Sequence, residues 1–493
     1  MSLKTIPSKR EDFERLTGFE YIKSRLNPKT HMGQKYFKHI QPLNYERILE
    51  HFDDTAFVVR LIEREDKLIA DVEHDLECIL DVSRTIEKIT NNEILDEIEL
   101  FELKNFVLVA QEIRNKTQQV FSNHERVSLP DLEAVIDLLD PEHLRLPTFY
   151  IYDVYDERLS QIRKKKREIL QLQKKNAKDD NLKESESIED VVLQLTEQER
   201  SVENEVLERL SKKLWEFAPL LEEAIQKIRY LDIILAKAKL AIELELSKPI
   251  LYSKAHELQN IQITGMFNPQ LKDELAKRGK TYQPVDVTIK RGVTVIVGAN
   301  MSGKSVVLRT VALIQYMALL GFFVPAKRAE LPFLELIALV TEDFQRPLSG
   351  LSSFASEITL IDSAYRYSQN TSALILIDEP ARTTNPYEGT AIVNALVECF
   401  EKTKNFVVIV THFDDVECHT RFRVKGLKED ALKNIQSVND INDIQELMDY
   451  QLIPDDGKTV PKEAIRVMDL LGVSKDIVSQ ALKLLDRHHK EHK

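Results

Sequence analysis

The stretch from Val293 to Leu320 restricts the fold more than any other part of the chain. Val293-Thr294-Val295-Ile296-Val297 has the β-branched, apolar make-up of a buried strand. It runs directly into Gly298-Ala299-Asn300-Met301-Ser302-Gly303-Lys304-Ser305, and a helical run begins at Val306. A Gly, four residues and Gly-Lys-Ser, set between a strand and a helix, form the phosphate-loop pattern. The chemistry explains the spacing. Glycines let backbone N–H groups turn inward around phosphate oxygens, and the helix N-terminus adds favourable partial charge. Residues 298–306 are therefore the candidate phosphate cradle, with Lys304 neutralising the outer phosphates. Ser305 is placed to offer a hydroxyl to Mg²⁺, which prefers oxygen ligands.

Two further apolar runs end in chemistry-bearing residues. Ala373-Leu374-Ile375-Leu376-Ile377 is followed by Asp378-Glu379, and Phe406-Val407-Val408-Ile409-Val410 by Thr411-His412-Phe413. Phosphoryl transfer to water needs one carboxylate for the metal and a neighbour to orient or deprotonate the water, so Asp378 takes the first role and Glu379 the second. Strands ending this way bring their last residues to the carboxyl edge of a parallel sheet, where open α/β folds bind ligands. His412 at that edge reads either as a sensor of the γ-phosphate or as a satisfied structural histidine.

The rest of the chain reads as helix. Gly (13) and Pro (17) are scarce among 493 residues, and the length suggests two to four domains. From Phe19 to Phe149 apolar residues recur at helical spacing, as in Ile48, Phe52, Ala56, Val59 and Ile62. A charged stretch with neither Gly nor Pro then extends to Pro219. Its first part, Arg158 to Lys178, is basic apart from Glu168, and its second, Asp179 to Glu208, is acidic apart from Lys183 and Arg200. Two readings stay open: a basic arm on nucleic acid, or an antiparallel hairpin whose arms attract each other, with its tip between Asn176 and Ser187. A second long helix returns through Leu207, Leu210, Leu214, Phe217, Leu221, Ile225 and Ile228 at nearly heptad spacing. Beyond Pro249 the pattern changes to short β-rich runs, so a second domain is expected from about Leu251.

Lys plus Arg number 68 against 81 Asp plus Glu, a formal charge of −13, which excludes a polycation that coats nucleic acid. Three scattered cysteines, Cys78, Cys399 and Cys418, argue against a disulfide framework and for a reducing compartment. The charged N-terminus is unlike a leader, and no run approaches the roughly 18 apolar residues of a spanning helix. The expected location is cytoplasmic, with no membrane partner.

Taken together, these motifs resemble the MutS family of mismatch-repair ATPases, whose nucleotide domain is ABC-like. Residues 298–305 are similar to the family's Gly-Pro-Asn-Met-Gly-Gly-Lys-Ser, and Ser349 to Glu357 resembles its Ser-Thr-Phe-x-x-Glu segment. Arg382 to Gly389 is similar to its Gly-Arg-Gly-Thr-x-x-x-x-Gly loop, and Thr411-His412 matches its Thr-His. Outside the nucleotide domain, Thr30-His31-Met32-Gly33 with Pro42-Leu43 resembles the opening of the family's core helical domain. Lys462 to Ala481 resembles its C-terminal helices, with Gly472 at the turn.

The resemblance implies a helical core and lever domain with long antiparallel helices, followed by a phosphate-loop α/β ATPase domain that uses ATP and Mg²⁺. Expected boundaries are 1–150 for the core, 151–250 for the levers with a short clamp-like hairpin, 251–445 for the ATPase and 446–493 for a C-terminal dimerisation segment. It further implies a homodimer in which Ser352 and Ser353, helped by Phe354, face the partner's ATP. Tyr282 would stack on adenine. The lever helices would embrace DNA, as a structure-binding or sliding clamp related to mismatch repair.

The departures from the pattern are instructive. By the resemblance, the sequence is expected to start at the core domain, with the family's mismatch-reading, connector and nuclease-like domains not expected in it. Ala299 and Ser302 stand where Pro and Gly are usual, and Pro380-Ala381 where glycine is common. The alternative is an ATP-driven protein-remodelling factor, because short MutS-like proteins of this kind are associated as reactivases with adenosylcobalamin-dependent aminomutases. Its levers would grip a protein instead of DNA.

Overall fold

A computed structural model describes residues 3–146, 148–176, 182–256, 258–298, 302–341, 350–413, 415–428, 447–455 and 463–491. The chain divides into two compact units that interleave in sequence: 1–26, 40–56 and 237–493 form the first, 27–39 and 57–236 the second. The division therefore differs from the sequential boundaries drawn above. It assigns two N-terminal segments to the unit that holds the phosphate loop.

The first unit is built on eleven strands among the described residues: β1 (Lys4–Ile6), β2 (Ile250–Tyr252), β3 (Asn260–Met266), β4 (Val285–Lys290), β5 (Gly292–Val297), β6 (Arg328–Pro332), β7 (Leu336–Val340), β8 (Ala373–Asp378), β9 (Phe406–Thr411), β10 (Thr420–Leu427) and β11 (Met448–Pro454). Seven of them form one sheet in the order β1-β7-β8-β9-β5-β10-β11. All its pairings are parallel except β10 with β11. Every residue of β5, β7 and β9 is buried, as a parallel sheet covered on both faces requires. A smaller sheet, β2-β6-β3-β4, contains the antiparallel β3–β4 and β3–β6 pairs.

Two features explain why the first of these segments belongs here. β1 hydrogen-bonds in parallel to β7, extending the large sheet at that edge. Phe13 and Phe19 then place their rings edge-on to Tyr316, at 5.2 and 5.0 Å between centroids. Tyr316 lies on the helix Lys304–Leu319, which is buried on nearly all sides, as an apolar helix against a sheet should be.

The second unit is helical. Thr30 caps the helix His31–Lys38, its hydroxyl accepting from the Gly33 amide at 2.9 Å. Buried Asp232 accepts from the Lys29 amide (2.8 Å), the Thr30 amide (2.9 Å) and the Thr30 hydroxyl (2.6 Å). This carboxylate cradle gives the Thr30-His31-Met32-Gly33 motif a structural reason. A Cβ on Gly33 would stand 2.1 Å from Asp232 Oδ2. Lys104 is also buried, donating to Asp140 (2.9 Å), the Tyr152 hydroxyl (2.8 Å) and the Thr148 carbonyl (3.0 Å).

The charged stretch forms the helices Glu157–Asn176 and Leu182–Leu214. Arg158 meets Glu205 at 2.6 Å, Arg163 meets Glu203 and Glu199 at 2.8 Å, and Lys166 meets Glu199 at 2.7 Å. Partner numbers fall as the first helix advances, so the arms run antiparallel and attract each other. Of the two readings left open, the paired hairpin is the one realised by Arg158, Arg163 and Lys166. Residues 177–181 of the expected tip lie outside the described residues.

At the other end of the chain, helices Glu463–Leu470 and Lys475–Glu491 flank a turn in which Gly472 has φ 73°. Among the described residues no helix is long and apolar enough to cross a membrane.

Candidate functional site

Three adjacent strands, β8, β9 and β5, create the site at their carboxyl ends. Val297 pairs with Thr411, and Asp378 with Val410, so the residues that follow each strand emerge at one edge. Gly298 leaves β5 with φ 158°, and Gly303 enters the helix with φ 83°, a left-handed conformation suited to glycine. Ala299, Asn300 and Met301 lie outside the described residues. Lys304 starts the helix, is buried, and donates to the Gly298 carbonyl at 2.8 Å, folding back over its own loop. Ser302 is 1% exposed, and its hydroxyl has no hydrogen-bond partner among the described residues. A buried hydroxyl left in this state is suited to an oxyanion acceptor.

Glu379 is the hub of the charged groups. Its carboxylate stands 3.6 Å from Lys304 Nζ, 3.3 Å from Arg382 Nη1 and 3.9 Å from His412 Nδ1. Its backbone is strained, with φ 47°, and its amide donates to the Val410 carbonyl at 2.9 Å, continuing the β8–β9 ladder past Asp378. Ala381 is also left-handed, with φ 60°, at the place where the family pattern favours glycine. Its amide donates to Glu357 Oε1 at 3.3 Å, tying the helix Gly350–Ser368 to this loop. The helix contains Ser352 and Ser353, whose side chains lie outside the described residues.

Asp378 is the candidate metal ligand of the sequence reading. Burial pushes its carboxyl above the usual range and the Glu379 charge adds to this, while the Ser305 hydroxyl bond and the charges of Arg309 and Lys304 pull it back. Its Oδ1 is buried with no hydrogen-bond partner among the described residues. An unpartnered carboxylate oxygen beside a serine hydroxyl is an oxygen donor set of the kind Mg²⁺ takes. Ser305 and Asp378 therefore fit the ion.

A cleft of about 900 Å³ opens beside the loop, lined by Tyr282, Gln283, Pro284, Gly303, Val306 and Tyr450 among others. Tyr282 is held by its hydroxyl, which accepts from the Asn268 amide at 3.1 Å, and burial pushes its pKa up. Tyr450 escaped the sequence reading. A Cβ on Gly303 would come within 3.1 Å of its ring, so it covers the start of the nucleotide helix. Gln283 fixes its strand by bonding Asp449 at 2.8 Å and accepting from the Tyr450 amide at 3.3 Å. Arg382 was also missed as a partner of Glu379. Its position three residues after that acid was the available signal.

Gly389 explains another part of the motif. A Cβ there would stand 2.3 Å from Phe413 Cζ, and the Phe413 ring lies 4.4 Å from that of His412. The glycine thus lets the helix Pro386–Glu401 approach the residues that follow β9.

The fold and this edge define a phosphate-loop α/β ATPase domain. The family pattern for MutS domain V matches residues 294–488. Similar proteins include the DNA mismatch repair protein MutS of Lactobacillus acidophilus, 26% identical over 302 residues, covering 61% of this chain and 34% of that protein. Endonuclease MutS2 of Clostridium botulinum is 27% identical over 304 residues, 61% and 36% of the two chains. DNA mismatch repair protein MutS of Bacillus mycoides is 29% identical over 309 residues, 62% and 33%. The matched region spans about a third of the length of these relatives. Over residues 294–488 the chain is similar to MutS domain V, and its relatives carry MutS and MutS2 names.

Proposed function

We propose that this chain binds and hydrolyses ATP as a dimer and couples the cycle to a DNA-associated, mismatch-repair-related task in the cytoplasm. The observation that carries the reading is the convergence of Lys304, Asp378, Glu379 and His412 at the ends of three adjacent strands. Lys304, released from the Gly298 carbonyl, neutralises the outer phosphates. Backbone amides of residues 298–306 and the Ser302 hydroxyl cradle the phosphate oxygens. Ser305 and Asp378 would hold Mg²⁺, whose chemistry when bound is to polarise phosphate oxygens. Glu379 orients or deprotonates the attacking water, His412 senses the γ-phosphate from beside Glu379, and Tyr282 stacks on adenine. Ser352 and Ser353 of one subunit face the ATP of the other. ATP then favours the closed dimer by bonds that ADP lacks, and hydrolysis reopens it.

ATP turnover by Lys304→Ala and Glu379→Gln tests the assignment. Both should lose roughly 100-fold or more, by loss of electrostatic stabilisation and of the general base. Turnover like the wild type in both removes it.

One observation favours a second reading, in which the client is a protein, such as an adenosylcobalamin-dependent aminomutase awaiting reactivation. The basic arm spends Arg158, Arg163 and Lys166 on Glu199, Glu203 and Glu205, which leaves fewer charges for DNA phosphates. Filter binding across salt separates the two: DNA binding must weaken steeply as salt rises. Absence of binding to duplex, branched and single-stranded DNA at low salt selects the protein client.

A further inference from the structure

We infer that the helical unit, which lacks the phosphate loop, carries a second phosphate-binding site in a cleft lined by Lys35, Tyr36, His39 and Arg229. The cleft encloses about 340 Å³, space for a small phosphate-bearing ligand or for a phosphodiester group entering from outside. Lys35 and Arg229 supply an ammonium and a guanidinium, and neither forms an ion pair among the described residues. His39 adds a third nitrogen donor. A guanidinium beside an ammonium is the pairing that recognises phosphate by fork and by point charge.

The Tyr36 hydroxyl is an independent pointer. It is buried and has no hydrogen-bond partner among the described residues, an arrangement that costs free energy unless a ligand supplies an acceptor. Burial pushes its pKa up to about 12 although Arg229 pulls the other way, so it remains a donor at neutral pH. Asp81 is the only carboxylate in the lining among the described residues. It is already occupied, accepting from the Ser83 amide at 3.2 Å and the Ser83 hydroxyl, and facing His31 Nδ1 at 3.3 Å. It therefore does not neutralise Lys35 or Arg229 by direct contact. Met32 and Ile225 provide an apolar wall on which the non-phosphate part of a ligand can rest.

The test is calorimetric titration of the full chain with inorganic pyrophosphate, in a Lys304→Ala background so that the phosphate loop does not compete. Saturable uptake is expected. It should weaken about ten-fold in Lys35→Ala/Arg229→Ala through lost charge-assisted bonds. A smaller loss is expected in Tyr36→Phe, and none in the control Lys164→Ala/Lys165→Ala. Lys35 and Arg229 are exposed, so their removal should leave thermal unfolding unchanged. A short DNA duplex that displaces pyrophosphate through the same two residues identifies the natural phosphate as a nucleic-acid backbone; failure to displace it identifies a small ligand. No uptake by the Lys304→Ala parent, or uptake unaltered in the double variant, overturns the inference. Its failure is separate from that of the ATPase reading, which turnover measures.

Discussion

Lys237 donates to the carbonyl of Leu320 at 2.8 Å, immediately after the helix that begins at the phosphate loop. The same amine donates to the Gly321 carbonyl at 3.0 Å and lies 3.0 Å from His51 Nδ1, over the Phe322 ring. An ammonium would match two carbonyls and an imidazole lone pair, and a neutral amine two carbonyls and an imidazole N–H; burial selects the second. That agrees with the direction of its pKa, which complete burial drives well below the ordinary lysine value. Lys237 thus closes the carboxyl end of the nucleotide helix from the long helix Ala218–Glu243.

Replacing it by methionine leaves both carbonyls unpaired and should cost roughly 2–3 kcal/mol. The pH dependence has a definite sign. Because the folded pKa is depressed, the unfolded chain binds the extra proton, so the stabilising contribution is fully present above the unfolded value and is lost as pH falls toward the folded one. Urea unfolding at pH 7 and pH 9.5 should show the gap between wild type and Lys237→Met widening with pH. A constant gap contradicts the neutral amine.

Gly33→Ala should destabilise the helical unit. Its methyl would collide with Asp232, which three hydrogen bonds hold in place. Overpacking of this kind costs about 1–3 kcal/mol, read as a lower thermal midpoint. An unchanged midpoint means the cradle relaxes freely.

Gly389→Ala should act on the nucleotide edge. The methyl meets Phe413, so the neighbouring His412 must shift from Glu379. Steady-state ATP turnover is expected to fall together with a stability loss of about 1–3 kcal/mol. Full turnover in a destabilised variant assigns the glycine to packing alone.

The hairpin separates two uses of charge. Arg163→Ala removes contacts to Asp153, Glu199 and Glu203 and should lower stability by about 1 kcal/mol, less at high salt. Lys164 and Lys165 are exposed on the same helix. Their replacement by alanine should leave unfolding unchanged while lowering the salt dependence of any DNA binding. Filter binding and thermal unfolding of the two variants check both halves.

What could be read from sequence was local. Val293 to Val297, the glycine loop and Asp378-Glu379 announce themselves because strand, turn and acid follow one another within a few residues. Antiparallel pairing of the charged arms was one of two readings the charge blocks allowed, and the ion pairs of Arg158, Arg163 and Lys166 with Glu205, Glu203 and Glu199 decide it. β1 was missed because three residues, Lys4 to Ile6, carry no alternation; the edge of β7 recruits them. Tyr450 and Lys237 were invisible for a different reason. Their partners, Gly303 and Leu320, are remote in sequence, and no spacing rule links such pairs. Ala381 shows the opposite case, where a departure from the glycine pattern is visible in sequence but its cost, a left-handed backbone, is visible only in the fold.

Calorimetry of Mg-ATP binding to the wild-type chain and to Lys304→Ala addresses the central claim most directly. The account predicts saturable binding by the wild type and a loss of about ten-fold or more in the variant, since the lysine is the charge proposed to neutralise the outer phosphates. No uptake by the wild type, or equal affinity in both, contradicts it.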